Sequence, residues 1–156
     1  GLTARGEDRV LAPHELRNAY LSILECASQR SIKTSTTQPL MQLLHPALGS
    51  SGKFGEGIIV DFRGHLLASS RSRLALGEVL APSSGGLENL FLKHPVLSSV
   101  RSGKVQGCGA CHHFRRCGGD RNAAFAASGD FLGPDPGCWL SNEESKQNLQ
   151  IKGEVA

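Results

Sequence analysis

The stretch CGACHHFRRCGGDRNAAFAASGDFLGPDPGC, residues 108–138, decides what this chain can fold around. It contains four of the five cysteines in the 156-residue chain, with the spacing C-x2-C-x5-C-x20-C: Cys108, Cys111, Cys117 and Cys138. Two thiolates in a CxxC step can bind one ion from a tight turn, and four thiolates suit either tetrahedral zinc or an iron–sulfur cluster. The spacing therefore predicts a metal centre and leaves both metals open.

Disulfide bonds explain these cysteines less well. Four thiols cluster near the C-terminal end while Cys26 stands far away, which is unlike a framework of bridges spread along a chain. The first ten residues, GLTARGEDRV, contain no apolar segment of a secretory signal. We therefore expect a reducing compartment, the cytoplasm, in which thiols are free to bind metal.

The cysteine spacing and the neighbouring basic residues favour an iron–sulfur cluster over zinc. The uneven spacing favours a cuboidal cluster, whose iron corners are separate, and the basic run HHFRR (112–116) would offset its negative charge. We expect Arg115, Arg116 and Arg121 on a solvated loop, with contact to the cluster or to an acidic substrate as the alternative. His112 and His113 are expected in solvent, Asp120 as a helix cap, and Cys26 as a small packed hydrophobe.

Composition excludes several classes of protein. The net charge of +3 is too small and scattered to indicate a nucleic-acid partner, and no apolar run is long enough to span a bilayer. A complete (β/α)₈ barrel needs about 200 residues or more, so this chain cannot form one. We expect a globular chain with no nucleic-acid or membrane partner.

Local patterns predict a mixture of short elements around the cysteines. Apolar periodicity predicts a helix from Pro13 to about Arg30, and the β-branched run SIKTSTT predicts a strand over 31–37. A β-hairpin is expected over 57–70, turning at Arg63 and Gly64. Helical segments are expected over 40–44, 85–93, 94–101 and 119–128, and a Gly-rich loop over 49–57.

The cysteine stretch closely resembles the SPASM-type C-terminal extension of radical SAM enzymes. The matching pieces are CGAC at 108–111, CGG at 117–119, SGD at 128–130 and DPGC at 135–138. More weakly, residues 58–70 resemble the hairpin that opens the extension, and LGEV at 76–79 resembles the LGNV that follows it. Residues 3–45, beginning with TARG, are similar to the last helix and strand of the partial barrel, and the nearest branch is the haem-biosynthesis-like and peptide-maturase one.

The resemblance implies an organisation of the chain. Its segments would be a barrel-derived helix–strand segment over 1–48, a Gly-rich linker over 49–56, a SPASM-like auxiliary cluster domain over 57–140 and a polar tail over 141–156. The implied fold is α+β. A short β-hairpin with small helices surrounds a Cys-rich cluster-binding loop, preceded by a helix–strand remnant of a partial (β/α) barrel.

The resemblance also implies a cofactor and a role. One auxiliary 4Fe–4S cluster would be held by Cys108, Cys111, Cys117 and Cys138, for electron transfer or for anchoring a peptide or tetrapyrrole substrate. Ser69, Ser70 and Asp120 stand where fuller members carry further cysteines, so a first auxiliary cluster is expected to be absent.

The chain departs from the family in its lack of a CxxxCxxC motif. S-adenosylmethionine would therefore enter only through a radical SAM core, supplied in cis by a missing segment or in trans by a partner. The chain also begins at Gly1. We expect a C-terminal portion of an oxidoreductase or maturase, with no catalytic residue of its own and no catalysis alone.

Two other classes of function stay open at this point. A structural Cys₄ zinc-binding interaction module explains the same cysteines without any enzyme. A free-standing electron carrier is less favoured, because ferredoxin-like carriers show tighter cysteine spacing and this chain is slightly basic.

Overall fold

The computed structural model describes residues 10–46, 48 and 53–141. The barrel-like TARG loop at 3–6, the first half of the linker over 49–56 and the polar tail beyond residue 141 lie outside this part. The elements, in chain order, are α1 (Pro13–Gln29), α2 (Met41–Leu44), β1 (His65–Leu67), β2 (Ala75–Glu78), a 3₁₀ turn (Pro82–Ser84), α3 (Gly86–Lys93), α4 (Pro95–Arg101), α5 (Phe114–Cys117) and α6 (Arg121–Ser128). Short helices with a two-stranded antiparallel sheet confirm the α+β class.

The helix α1 confirms the first predicted element. Pro13 occupies the first helical position, where its missing N–H costs nothing, and the Ala12 N–H donates to the Glu15 carboxylate at 2.8 Å. Other residues of the chain cover the apolar face of α1, since Leu16 and Tyr20 pack against buried Leu40 and Trp139. No helix in the described residues is long and apolar enough to cross a bilayer.

The strand predicted over 31–37 is wrong. This segment contains a single bridging residue, Thr36, and no strand. β-branched residues favour extended backbone, but a strand also needs a neighbour along its length. Instead the Thr36 hydroxyl accepts the N–H of Gln38 at 2.9 Å, which turns the chain towards α2. The helical turn predicted at 40–44 is present as α2.

The predicted hairpin is only partly right. Its turn is tight, since the Asp61 carboxylate accepts the N–H groups of Arg63 and His65, both at 2.9 Å. The arm over 58–62, however, contributes one isolated bridge, from Val60 to Leu66. The main partner of β1 is β2, with Leu66 opposite Gly77.

Packing explains why β2 is the preferred partner of β1. Leu66 is fully buried, and a Cβ on Gly77 would lie 2.9 Å from Leu90 Cδ2 of α3. The glycine therefore lets α3 lie close against the sheet. This preference depends on a contact between distant segments, which the local pattern over 57–70 does not contain.

The helices α3 and α4 confirm the two predictions for this region. The His94 Nδ1 atom accepts the N–H of Val96 at 3.3 Å and so caps the start of α4. At the end of α4, the Arg101 guanidinium donates to the carbonyls of Phe91 and Leu92, both at 2.7 Å. The Arg101 side chain thus ties the end of α4 to the last turn of α3.

Two buried apolar clusters organise the rest of the molecule. The Trp139 cluster consists of Leu40, Cys117 and Trp139, flanked by Leu16, Tyr20, Leu43, Leu44, Cys138 and Leu140. The Val100 cluster consists of Val100, Val105 and Cys108, flanked by Phe54, Phe114 and Leu132. Because cysteines occur in both clusters, the thiols lie where the clusters approach each other.

Candidate metal centre

The first two cysteines lie on a tight turn that only glycine permits. The Cys111 N–H donates to the Cys108 carbonyl at 3.0 Å, which curls the chain between them. Gly109 lies against the preceding loop, and a Cβ there would fall 2.2 Å from the Gly103 carbonyl oxygen. A side chain at position 109 would therefore collide with rigid backbone.

The third cysteine ends α5, a short helix within a segment that was predicted to be only a loop. Gly118 and Gly119 follow with φ of +71° and +70°, in the left-handed region that favours glycine. A Cβ on Gly119 would lie 3.0 Å from the Cys108 sulfur and 2.3 Å from Arg121 Nη2. The CGG step is thus required because the chain passes directly over a thiol and a guanidinium.

The helix α6 begins where the CGG step ends. The Asp120 side chain accepts the N–H groups of Asn122 and Ala123, both at 3.0 Å, and Gly129 ends the helix with φ of +74°. Both features confirm the predicted cap and the predicted stop.

Buried Asp135 positions the fourth cysteine. One of its carboxylate oxygens accepts the N–H of Gly137 at 2.9 Å, and the other accepts the N–H of Asp120 at 2.6 Å. The first bond forms an Asx turn. The second bond, which the sequence pattern does not show, fastens the start of α6 to the loop that delivers Cys138.

All four cysteines line one small cavity of about 20 Å³, together with Leu43, His113 and Phe114 among others. Cys108 and Cys117 are buried and Cys111 and Cys138 half-buried, whereas Cys26 is exposed on α1. The expected packing of Cys26 as a buried hydrophobe is therefore wrong, because that side chain lies on the outer face of the helix.

A site for a single ion requires its thiols to converge closely. Four sulfurs around one zinc ion lie about 3.8 Å apart, as Zn–S bonds of about 2.3 Å require. Among the described residues, no group of three or more His, Cys, Asp or Glu side chains converges in a way that could hold one metal ion. The four thiols line the same cavity without forming such a group.

Burial controls the protonation of the two buried thiols. It raises the pKa of Cys117 to about 12, against a weaker opposing effect of the Gly119 N–H. Burial also raises the pKa of Cys108, but there the Arg121 guanidinium opposes it. Because thiolate is the ligating form, binding a metal here would release protons.

Arg121 is the charged residue that sequence reasoning misplaced. It is only 1% exposed, whereas Arg115 and Arg116 are exposed as expected. Its guanidinium donates to the carbonyls of Gly133 at 2.7 Å and Phe131 at 3.2 Å, and Nη2 lies 3.5 Å from the Cys108 sulfur. Within the described part of the chain it forms no ion pair with a carboxylate.

This guanidinium gives the site its charge preference. Arginine stays protonated in proteins, and a buried cation needs a compensating anion or hydrogen bonds. Carbonyls supply part of the compensation, and the adjacent sulfur is the group that could become anionic. The donor set therefore suits an anionic metal–thiolate centre.

The other predicted residues lie around the cysteines at different depths. The rings of His112 and His113 are 3.8 Å apart; His112 is exposed as expected, and His113 is half-buried against the thiol cavity. Ser69, Ser70 and Asp120 line a second and larger cavity, which Cys111 and Cys117 also border. Ser69 is buried, and its hydroxyl contacts the Asn122 side chain.

Comparison with protein-family models, with curated proteins and with solved structures found no match to this chain.

Proposed function

We propose that this chain binds one iron–sulfur cluster and is the auxiliary-cluster portion of a radical SAM/SPASM-like protein. The ligands in this proposal are Cys108, Cys111, Cys117 and Cys138. The observation that carries it is that these four cysteines, which come from a turn, a helix end and a distant loop, line one cavity. The fifth cysteine, Cys26, is exposed elsewhere.

The charge around the thiols supports an anionic centre. A cluster with four thiolate ligands carries negative charge, and hydrogen bonds to its sulfurs help to set its reduction potential. The buried Arg121 guanidinium lies 3.5 Å from the Cys108 sulfur and has no carboxylate partner among the described residues. A cluster at this position would supply one-electron chemistry, or an anchor for substrate, beside a core provided in cis or in trans.

The protein's own residues hold and shield the site. Asp135 fixes the Cys138 loop against α6, and Arg121 ties the same loop to Cys108 through its carbonyl contacts. Trp139, which is 4% exposed, lies in the same buried cluster as Cys117. These contacts would limit the access of water and oxygen to the thiol sulfurs.

A structural zinc site is the second candidate, and the size of the cavity favours it. About 20 Å³ is close to the space of one water-sized sphere, so a cluster would require the thiol side chains to rotate outwards. A zinc ion would in turn require the thiols to converge, since no group of three or more His, Cys, Asp or Glu side chains among the described residues could hold one metal ion. The two candidates thus demand opposite movements of the same side chains.

Anaerobic purification of the full chain, followed by assay of iron, acid-labile sulfide and zinc, separates them. We expect about four iron and four sulfide per chain, the content of one 4Fe–4S cluster. One zinc without sulfide would establish the alternative and exclude the cluster.

The matched pair Cys117→Ala and Cys26→Ala tests the ligand set. We expect the first variant to lose most of the metal, because it removes a buried ligand, and the second to retain all of it. Full metal content in Cys117→Ala would show that the ligand set is wrong.

A further inference from the structure

A large groove opens beside the thiol cavity. Its volume is about 1040 Å³, and Cys111 and Cys117 border both spaces. Small-molecule sites in proteins usually have volumes of about 300–1,000 Å³. The groove therefore has ample room for an organic ligand that lies next to the cysteines.

Most of the charged side chains that line the groove are cationic. Five of the described lining residues are basic, Lys53, Arg71, Arg101, Arg115 and Arg121, and two are acidic, Glu56 and Asp120. The whole chain is much closer to balance, with 17 Lys and Arg against 14 Asp and Glu. Positive charge is thus concentrated at this surface.

Three of the five cations already donate to backbone carbonyls. The Lys53 ammonium donates to the Arg115 carbonyl and also pairs with the Glu56 carboxylate at 3.8 Å. The Arg101 guanidinium donates to three carbonyls, those of Gly55, Phe91 and Leu92. The Arg121 guanidinium is buried among the carbonyls of 131 and 133. The two arginines contribute charge to the groove but have few donors left for a ligand, and Glu56 balances part of the charge of Lys53.

Arg71 is the cation best placed to bind a ligand. Its side chain is 40% exposed and is steadied by a contact from Nη2 to the Thr37 hydroxyl. Its Nη1 atom lies 3.8 Å from the Asp120 carboxylate, which is beyond hydrogen-bond length. Asp120 caps α6 with its Oδ1 atom, whereas Oδ2 is the oxygen that forms the ion pair with Arg71. Because that pair is too long for a hydrogen bond, Arg71 keeps donors for a ligand, while Asp120 balances part of its charge.

The groove also has an apolar wall. Phe54 and Phe114, both flanking the Val100 cluster, line it together with Ile59, Ala68 and Val100. An apolar surface beside arginine suits a ligand with a flat hydrophobic body and an acidic group. Arginine matches the planar geometry of a carboxylate because two parallel N–H donors can bind both oxygens.

We propose that this groove binds an amphipathic small molecule through a carboxylate, which pairs with Arg71, and an apolar body, which lies on Phe54 and Phe114. The binding is a second property of the chain beyond its metal, because the groove is built from protein groups alone. Since Cys111 and Cys117 border the groove, the bound molecule lies beside the proposed centre.

The probe pair naphthalene-2,6-dicarboxylate and naphthalene-2,6-dicarboxamide tests this proposal, since the two share an apolar body and differ in charge. Titration into the full-length, ¹⁵N-labelled chain should shift the amide signals of groove residues such as Gly103, Gly118 and Asn122. We expect the dicarboxylate to bind at least tenfold more tightly, and its affinity to fall as salt rises from about 50 to about 200 mM. Equal affinity for the two probes, or no binding of the dicarboxylate, overturns the proposal.

The variants Arg71→Gln and Arg63→Gln assign the carboxylate to its partner. Arg63 lies in the hairpin turn and is not part of the groove, so its variant should bind like the parent chain. We expect Arg71→Gln to lose about tenfold in affinity, and Arg71→Lys, which keeps the charge but not the fork, to lose less. Parent-like affinity in a folded Arg71→Gln chain overturns the assignment.

Metal content, measured in the same samples, separates this proposal from the metal site. Loss of dicarboxylate binding with iron retained breaks the groove proposal alone. Absence of iron and sulfide with binding retained breaks the cluster proposal alone.

Discussion

Cys108 and Cys117 are equally buried, each 8% exposed, but they lie in different clusters and have different neighbours. Cys117 is surrounded by apolar groups of the Trp139 cluster, and burial raises its pKa to about 12. Cys108 lies against Arg121, whose charge opposes the effect of burial on the thiol pKa. The comparison shows that, at equal exposure, the charge of one arginine distinguishes the two sides of the site.

The two apolar clusters also differ in the segments of the chain that contribute to them. The Val100 cluster draws on residues 54–132, whereas the Trp139 cluster joins α1 and α2 to the residues that follow Cys138. Tyr20 meets Trp139 edge-to-face, with 6.3 Å between ring centroids. The Trp139 cluster is therefore the contact that holds the N-terminal helix on the cysteine-rich part.

The largest expected effect comes from Trp139→Ala. Removing a buried indole should destabilise the chain by about 3–5 kcal/mol and release α1, because the ring contacts residues from both ends of the described chain. Urea unfolding measures the loss. Phe62→Ala is the matched control, since Phe62 is 93% exposed and its truncation should cost less than about 0.5 kcal/mol. Equal losses in the two variants would contradict the role of the Trp139 cluster.

The next largest effect is expected from Arg121→Met. This change leaves the buried carbonyls of Phe131 and Gly133 without donors, at about 1–3 kcal/mol for each unsatisfied group. It should also slow alkylation of Cys108 relative to Cys117 in metal-free protein, because the charge that favours the Cys108 thiolate is gone. Mass spectrometry after a timed iodoacetamide pulse measures both rates.

Arg121→Lys is the companion variant for the case in which Arg121→Met does not fold. Lysine retains the positive charge but lacks the planar guanidinium, whose N–H groups reach two carbonyls and a sulfur. We expect it to keep more of the Cys108 reactivity than Arg121→Met keeps. If the ratio of the two alkylation rates is unchanged in both variants, the charge of Arg121 does not cause the difference between the two thiols.

A smaller effect is expected from pH. The Cys117 thiol has a pKa near 9.0 in the unfolded chain and about 12 in the folded chain, so the folded state holds its proton more tightly. Stability is therefore fully present below pH 9 and falls as pH rises towards 12, by about 1.4 kcal/mol at pH 10. Urea unfolding of chelator-treated, reduced protein at pH 8 and pH 10 measures it. The Cys117→Ala variant should show a correspondingly smaller difference; an identical difference would mean that other groups cause it.

The smallest expected effect lies outside both thiols, at His94. Burial lowers the pKa of His94, whose Nδ1 accepts the N–H of Val96 only when it is unprotonated. Stability should therefore fall as pH drops below 6.5, by less than about 1 kcal/mol. His94→Ser keeps a cap without titrating, so its unfolding should depend less on pH between 7.5 and 5. If both proteins respond alike, His94 does not act as a titrating cap.

Much of the local structure could be predicted because its causes are local. Pro13 starts α1, Asp120 caps α6 and Gly129 ends it, each through a contact within a few residues. The prediction of a strand over 31–37 was wrong because β-branched residues favour extended backbone locally, whereas a strand also needs a partner from a distant part of the chain. β2 was missed for the same reason, since its pairing with β1 depends on α3 packing over Gly77.

The sequence by itself determined the candidate ligand set, the α+β class and the helix ends, because spacing, capping residues and glycines act over short distances. Only the tertiary structure decided that Arg121 is buried against Cys108, that Asp135 ties the start of α6 to the Cys138 loop, and that Arg71 and two phenylalanines share a groove beside the thiols. These arrangements arise from packing between segments far apart in the chain, where burial and charge are set by neighbours that no local pattern contains.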